Sequence, residues 1–208
     1  MVSMMPLGKQ AKILSKVQIK TTLNFLSSTR NSLRDTVILL LSVKSGLRAK
    51  EIANLTWQMV TDPEGDINDV IALQNTASKG LNGGRSIPLN KELKEALVEL
   101  KHFSEGKKSK LGFPFDLASY VVTSERGEHM SANSIAHWFK RLYSNLGFDG
   151  CSSHSGRRTA ITRWAKNISK AGGSLRDVQD LAGHSFLATT QNYIQADSNA
   201  KRILIDLV

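Results

Sequence analysis

The chemistry-bearing residues of this chain gather in four short segments. DLAGHSFLATTQNYIQ (180–195) holds His184 and, nine residues on, Tyr193 in the polar setting Gln191-Asn192-Tyr193. A phenol so placed can act as a nucleophile. The same residues also fit a plainer reading, a helix from Asp177 to Ala182 ended by Gly183, then a second helix from Ser185 with Tyr193 half-buried. Upstream, SGLRAKE (45–51), ASKGLNGGRSIPL (77–89) and SHSGRRTA (153–160) supply Arg48, Lys79, His154 and Arg157. These are the cations a hydroxyl needs at an anionic centre. A free Tyr has a pKa of about 10, so it reacts near neutrality only with such neighbours. Arg48 and Arg157 can each donate two parallel hydrogen bonds to a phosphate, which Lys cannot. The implied chemistry is attack of a hydroxyl on a phosphodiester, with fixed cations stabilising the charge that builds on the non-bridging oxygens.

Several elements must position these groups. Residues 1–20 carry Lys9, Lys12, Lys16 and Lys20 and no acid. Positions 1–14 are expected to form a flexible basic arm, touching phosphates or simply solvated. A first helix follows, from Val17 to Leu26. Leu33, Val37, Leu40 and Leu41 give the apolar stripe of a second, with Gly46 where a left-handed cap belongs. Arg48 then lies at a tight corner before a short helix, Ala49 to Leu55, that packs through Ile52 and Leu55 with Trp57 behind it. Glu51, one turn on, can orient the Arg48 guanidinium, or the two can form an ordinary surface pair.

Val70–Leu73 and Arg85–Leu89 read as two short strands. ASKGLNGG between them makes a glycine-rich hairpin tip with Lys79 at its base, able to swing onto a nucleic acid or merely to solubilise a turn. It matches no P-loop, since no GK[ST] follows the glycines. A helix from Lys91 to Phe103 buries Leu93, Ala96, Leu97 and Leu100, and Glu105–Lys110 reads as a basic loop. A short extended piece, Tyr120 to Thr123, precedes a helix from Ala132 to Leu146. Ser152 or Ser153 can cap the next helix, which puts His154 and Arg157 on one face (i, i+3) near N-terminal amides that favour phosphate. Ala160, Ile161 and Trp164 face its core, and Gly172-Gly173 ends it. Asn199–Val208 places Ile203, Leu204 and Leu207 on one stripe, for its own core or a neighbour's.

At 208 residues, 40% apolar and 22% charged, the chain has the length and composition of one globular domain. The net charge of +10 favours a polyanion, nucleic acid above a membrane surface. The single cysteine, Cys151, excludes an intramolecular disulfide and a multi-cysteine zinc site. No metal or other cofactor site is legible; His102, His129 and His137 stand apart from any partner. No apolar run reaches the length of a membrane span, which points to a reducing cytoplasm or nucleoid.

Taken in order, these segments resemble the tyrosine recombinase (phage integrase) family from about residue 15 onward. SGLRAKE is similar to its first box, giving Arg48 and the acidic companion Glu51. Lys79 matches the β-hairpin lysine, His154-Ser155-Gly156-Arg157 the HxxR box, and Gly183-His184 with Tyr193 the GH box and nucleophile. Two departures stand out: Arg158 occupies a position commonly His or Lys, and Ser155-Gly156 replaces a pair that usually ends in Leu. The resemblance implies a mainly α fold with a small antiparallel β-sheet (α+β), the tyrosine recombinase catalytic-domain fold, over 15–198, and a C-terminal helix, 199–208, exchanged between subunits. It implies site-specific cleavage and rejoining of DNA through a 3′-phosphotyrosyl link without metal or ATP. In that scheme Lys79 is the general acid for the leaving 5′-oxygen, and His154 and His184 are added donors. Arg158 supports the site, while Lys9, Lys12, Lys16, Lys20 and Arg85 meet DNA. The partners implied are double-stranded attachment sites and three further copies, a homo-tetramer on synapsed DNA from a monomer in solution. Relaxation in the manner of a type IB topoisomerase, and a non-catalytic DNA-binding regulator, are the alternatives. The family's separate core-binding domain does not fit in this length, which suggests a naturally short member or a catalytic fragment.

Overall fold

The computed structural model describes residues 11–77, 84–125, 129–191 and 193. The expected class holds: helices dominate, with one two-stranded antiparallel sheet. The chain divides into two units, Met1–Ala160 and Ile161–Val208.

In the first unit, α1 (Lys16–Ser27) starts at Ser15, whose hydroxyl accepts from Gln18 N while the Gln18 side chain accepts from Ser15 N. This reciprocal cap satisfies amides that the first turn leaves without partners. The residues before it, read as the end of a free arm, run along the protein. Lys12 N donates to the Gly150 carbonyl, Leu14 N to Thr159 Oγ1 at 2.8 Å, and Leu14 itself is buried. An apolar Leu next to the arm's lysines is what draws this end inward.

Helix α2 (Ser32–Val43) is more deeply enclosed than a single stripe predicts. Every residue from Val37 to Val43 is buried, Ile38, Leu39 and Ser42 included. VILLLSV is apolar on nearly all sides, and such a helix belongs in the middle of a core. Helices α1, α3 (Ala49–Ala53) and α4 (Lys91–Lys110) pack around it. Each fully buried Leu or Ile there contributes about 1.5–3 kcal/mol.

Helix α6 (Ser155–Asn167) also approaches α2. A Cβ placed on Gly156 would run into Ser42 Oγ, lie 2.9 Å from Ser42 Cβ and 3.1 Å from Val43 Cγ1. Rotating the hydroxyl leaves the Cβ collision in place. A side chain at position 156 is therefore opposed by Ser42 and Val43. Gly156→Ala should destabilise by about 1–3 kcal/mol, read as a lower urea midpoint. The loss should shrink when the same change is made in a Ser42→Gly background, and an unchanged midpoint would rule the contact out.

Strands β1 (Val70–Leu73) and β2 (Arg85–Pro88) pair with Val70 opposite Pro88 and Leu73 opposite Arg85. Helix α4 continues to Lys110, so the expected basic loop from Glu105 is helical. Lys101 pairs with Glu105 one turn on, and Lys107, Lys108 and Lys110 sit where the helix dipole favours cations. Gly112, at φ 74°, follows its end. Tyr120–Thr123 does not build a strand of its own. Tyr120 bridges Thr56, and Val121 N donates to the Leu55 carbonyl. Helix α5 (Ala132–Asn145) buries Ile135, Trp138, Phe139 and Leu142 and packs on α3.

The division falls within α6. In the second unit, Ile161, Val178 and Ala182 form a small core joined by Trp164, Ile168 and Tyr193. A 3-10 turn, Ile168–Ala171, extends α6 before Gly172 at φ 75°. Helix α7 (Leu175–Ala182) is capped by Ser174 with Asp177 and stopped by Gly183 at φ 60°. Hydrogen bonds from Ser174 hold the exposed Asp177 carboxyl below its usual range. Helix α8 (Leu187–Gln191) follows. No helix among the described residues is long and apolar enough to cross a membrane.

Candidate active site

The first unit builds a corner around Glu51. Helix α2 ends, the chain turns at Gly46 with φ 62°, and Leu47 is fully buried. Arg48 is extended at φ −76°, ψ 156°, and α3 begins immediately after it. Glu51 is 0% exposed. Its Oε2 accepts from Arg48 N at 2.8 Å, and its Oε1 accepts from Arg48 Nη1 at 2.8 Å. Arg85, from β2, donates Nη1 to Oε1 at 2.9 Å and Nη2 to Oε2 at 3.2 Å. Burial alone would raise the Glu51 pKa. Hydrogen bonding and charge from Arg85, with the Arg48 amide and guanidinium, outweigh it and bring the pKa down to about 2.

Arg48 remains the more open of the two arginines, its side chain 32% exposed against 8% for Arg85. Arg85 was expected to meet DNA; its guanidinium lies instead on the buried carboxylate. Sequence reading missed this because only the tertiary fold carries Arg85, in β2, to Glu51, 34 residues away in α3.

Arg157 reaches the same corner from α6. It is buried, and its Nη1 donates to the Gly46 carbonyl at 2.5 Å, an acceptor two residues before Arg48. His154 is exposed just before the helix, its backbone N–H donating to Ser152 Oγ. Arg158 points elsewhere, donating Nη1 to the Ala11 carbonyl at 3.0 Å. It fastens the segment before α1 to α6. Lys12, Lys16 and Lys20 are exposed. Lys9, Lys79 and the helix expected over 199–208 lie outside the described residues.

The second unit holds His184 and Tyr193. The His184 backbone N–H donates to the Gln179 carbonyl, and Gln179 Nε2 donates to the His184 carbonyl at 2.8 Å. Its ring Nδ1 lies 2.9 Å from Thr190 Oγ1, a hydroxyl buried in α8. The backbone and one ring nitrogen of His184 are thus both held. Tyr193 is half-buried and stacks on His184, centroids 5.6 Å apart and planes 23° apart. Its N–H donates to the Thr190 carbonyl. Thr190 and Gln179 carry no motif signal of their own; only the turn between α7 and α8 brings them onto His184.

Chemically, the first unit presents arginines fixed by carboxylate and carbonyl acceptors, a set suited to an oxyanion. The second presents a phenol beside an oriented imidazole. The phage integrase family model matches residues 12–200. Tyrosine recombinase XerC of Bradyrhizobium diazoefficiens is 31% identical over 167 residues, 79% of this chain and 46% of that protein. Tyrosine recombinase XerD of Pseudomonas putida is 32% identical over 162 residues, 77% of this chain and 49% of that protein. The chain spans about half the length of these relatives. Among solved structures, the Tn1549 transposon integrase in complex with circular intermediate DNA superposes with a TM-score of 0.72 at 24% identity, covering 96% of this chain and 67% of that one. The XerA recombinase gives 0.69 at 22%, covering 94% and 64%. Both structures bear on the fold.

Proposed function

The chain belongs to the phage integrase family, and we propose that it is a tyrosine-type site-specific recombinase that breaks and rejoins DNA. The observation that carries this reading is the meeting of Arg48 and Arg157 at one corner, the first on Glu51 and the second on the Gly46 carbonyl. Segments more than one hundred residues apart in sequence are brought together there, as the 111-residue separation of Arg157 from Gly46 shows.

In the reaction, Tyr193 Oη attacks the scissile phosphorus. A P–Oη bond forms, the bond to the 5′-oxygen breaks, and the product is a 3′-phosphotyrosyl link with a free 5′-hydroxyl. Arg48 and Arg157 neutralise charge on the non-bridging oxygens of the transition state. His184 donates a further hydrogen bond, and His154 takes the proton that leaves Tyr193 Oη as the P–Oη bond forms. Lys79 protonates the leaving 5′-oxygen. Attack by a 5′-hydroxyl from another strand reverses the step, so the bond energy is retained. Four copies act on two paired attachment sites, each arriving as a monomer, with exposed Lys12, Lys16 and Lys20 among the cations that face the duplex.

The test uses nicked suicide duplexes drawn from DNA flanking the gene, in which the cleaved fragment diffuses away. The wild-type chain is expected to accumulate a denaturant-resistant DNA adduct that mass spectrometry maps to Tyr193. An adduct on another residue, or none on any such duplex, overturns the reading.

A further inference from the structure

We infer, on the reading of Arg48 as a cation of the cleavage reaction, that Arg85 is a positioning residue that acts on Arg48 through Glu51. The two oxygens of Glu51 are each shared. Oε1 takes Arg48 Nη1 and Arg85 Nη1, while Oε2 takes the Arg48 amide and Arg85 Nη2. Arg85 therefore grips the carboxylate end-on with two roughly parallel bonds, and Arg48 takes the same atoms from the other segment.

Three features separate this from a DNA contact or a casual surface pair. The Arg85 side chain is 8% exposed and the Glu51 side chain 0%, so the fork faces inward. Both terminal nitrogens of Arg85 are committed to the carboxylate. Its backbone is fixed as well, since Arg85 opens β2 opposite Leu73. A carboxylate gripped this way has one orientation to offer Arg48. Without the fork the buried carboxylate loses two of the bonds that set its angle, and the oxygen it offers the Arg48 guanidinium shifts. The chemistry calls for Arg at position 85, because a Lys ammonium is a single point charge and cannot span both oxygens.

The experiment measures covalent capture of a suicide duplex at saturating DNA, with duplex affinity measured separately. Arg85→Gln is expected to slow capture about 10²-fold while affinity stays within about twofold, the signature of misplacement rather than lost binding. Arg85→Lys should recover part of the rate. Glu51→Gln should slow capture comparably, and Arg85→Gln with Glu51→Gln should be no slower than either alone, since the pair acts as a unit. Capture by Arg85→Gln at the wild-type rate overturns the inference, as does a loss confined to affinity or one that multiplies in the double variant. If Arg85→Gln alone does not fold, the Lys variant and the double variant, which removes the charge together with its partner, decide the matter by the same criteria. A wild-type chain that captures no duplex overturns the cleavage reading and this inference together. A wild-type chain that captures DNA with an unimpaired Arg85→Gln overturns this inference alone.

Discussion

Tyr193→Phe is expected to abolish covalent capture of DNA, a loss on the order of 10⁴-fold or more, while the duplex stays bound. The substitution removes one oxygen and little else. The ring that stacks on His184 and packs beside Ile161, Val178 and Ala182 is retained, as is the backbone bond to Thr190. Thermal melting should therefore remain close to wild type. Gel-shift titration should give an unchanged duplex affinity, and a denaturing gel of the same samples should show no adduct. Adduct formation by the Phe variant would move the nucleophile to another residue. Loss of folding together with loss of adduct would instead make Tyr193 a core aromatic, the plainer reading of its sequence setting.

Glu51 should give the largest effect on stability. Glu51→Ala leaves Arg48 and the buried Arg85 without the carboxylate they share, a change that costs about 3–5 kcal/mol, read from urea unfolding at pH 7. The wild-type carboxyl also carries a pH dependence of definite sign. Its pKa falls from an ordinary 4.5 to about 2 on folding. The folded chain binds that proton less readily, so the stabilisation is complete above the unfolded pKa and lost as the pH drops through the folded one. The window runs from about pH 4.5 down to about 2, with a total on the order of 3 kcal/mol. Subtracting the pH profile of Glu51→Gln from that of wild type isolates it. The subtraction matters because Asp35, whose pKa burial raises despite its pairing with Arg34, works in the opposite direction as the pH falls. A flat difference between the two profiles would show that Glu51 carries no such linkage.

The arginine, histidine and tyrosine segments were legible because each is a short run, with its chemistry and its helix signals side by side. Gly46 adopts the left-handed backbone of a helix cap and Gly183 ends its helix, as their positions suggested, and the two strands pair across the expected hairpin. What stayed hidden depends on contact between distant segments. Arg85 looked like one more surface cation because nothing near it in sequence reveals Glu51. Gly156 stood out only as a departure that touched local packing, because Ser42, the residue it packs against, lies on another helix. The far end of α4 looked like a loop because Ser104 and Gly106 are weak helix formers and the clustered lysines after them repel one another. The Lys101–Glu105 pair and the dipole-facing lysines belong to the helix as a whole. Arg158, expected to support the site, follows Arg157, yet successive residues on a helix diverge, and its guanidinium goes to Ala11.

Arg157 takes its acceptor from the main chain at Gly46. Every amino acid carries that oxygen, so heritable change can strip away the donor in one step but never the acceptor. A missense replacement at position 46 can only tilt the peptide that bears it, by resisting a φ of 62°. The two ends of this bond are thus exposed to evolution unequally: one drifts with the genetic code, and the other is guaranteed by the polymer itself.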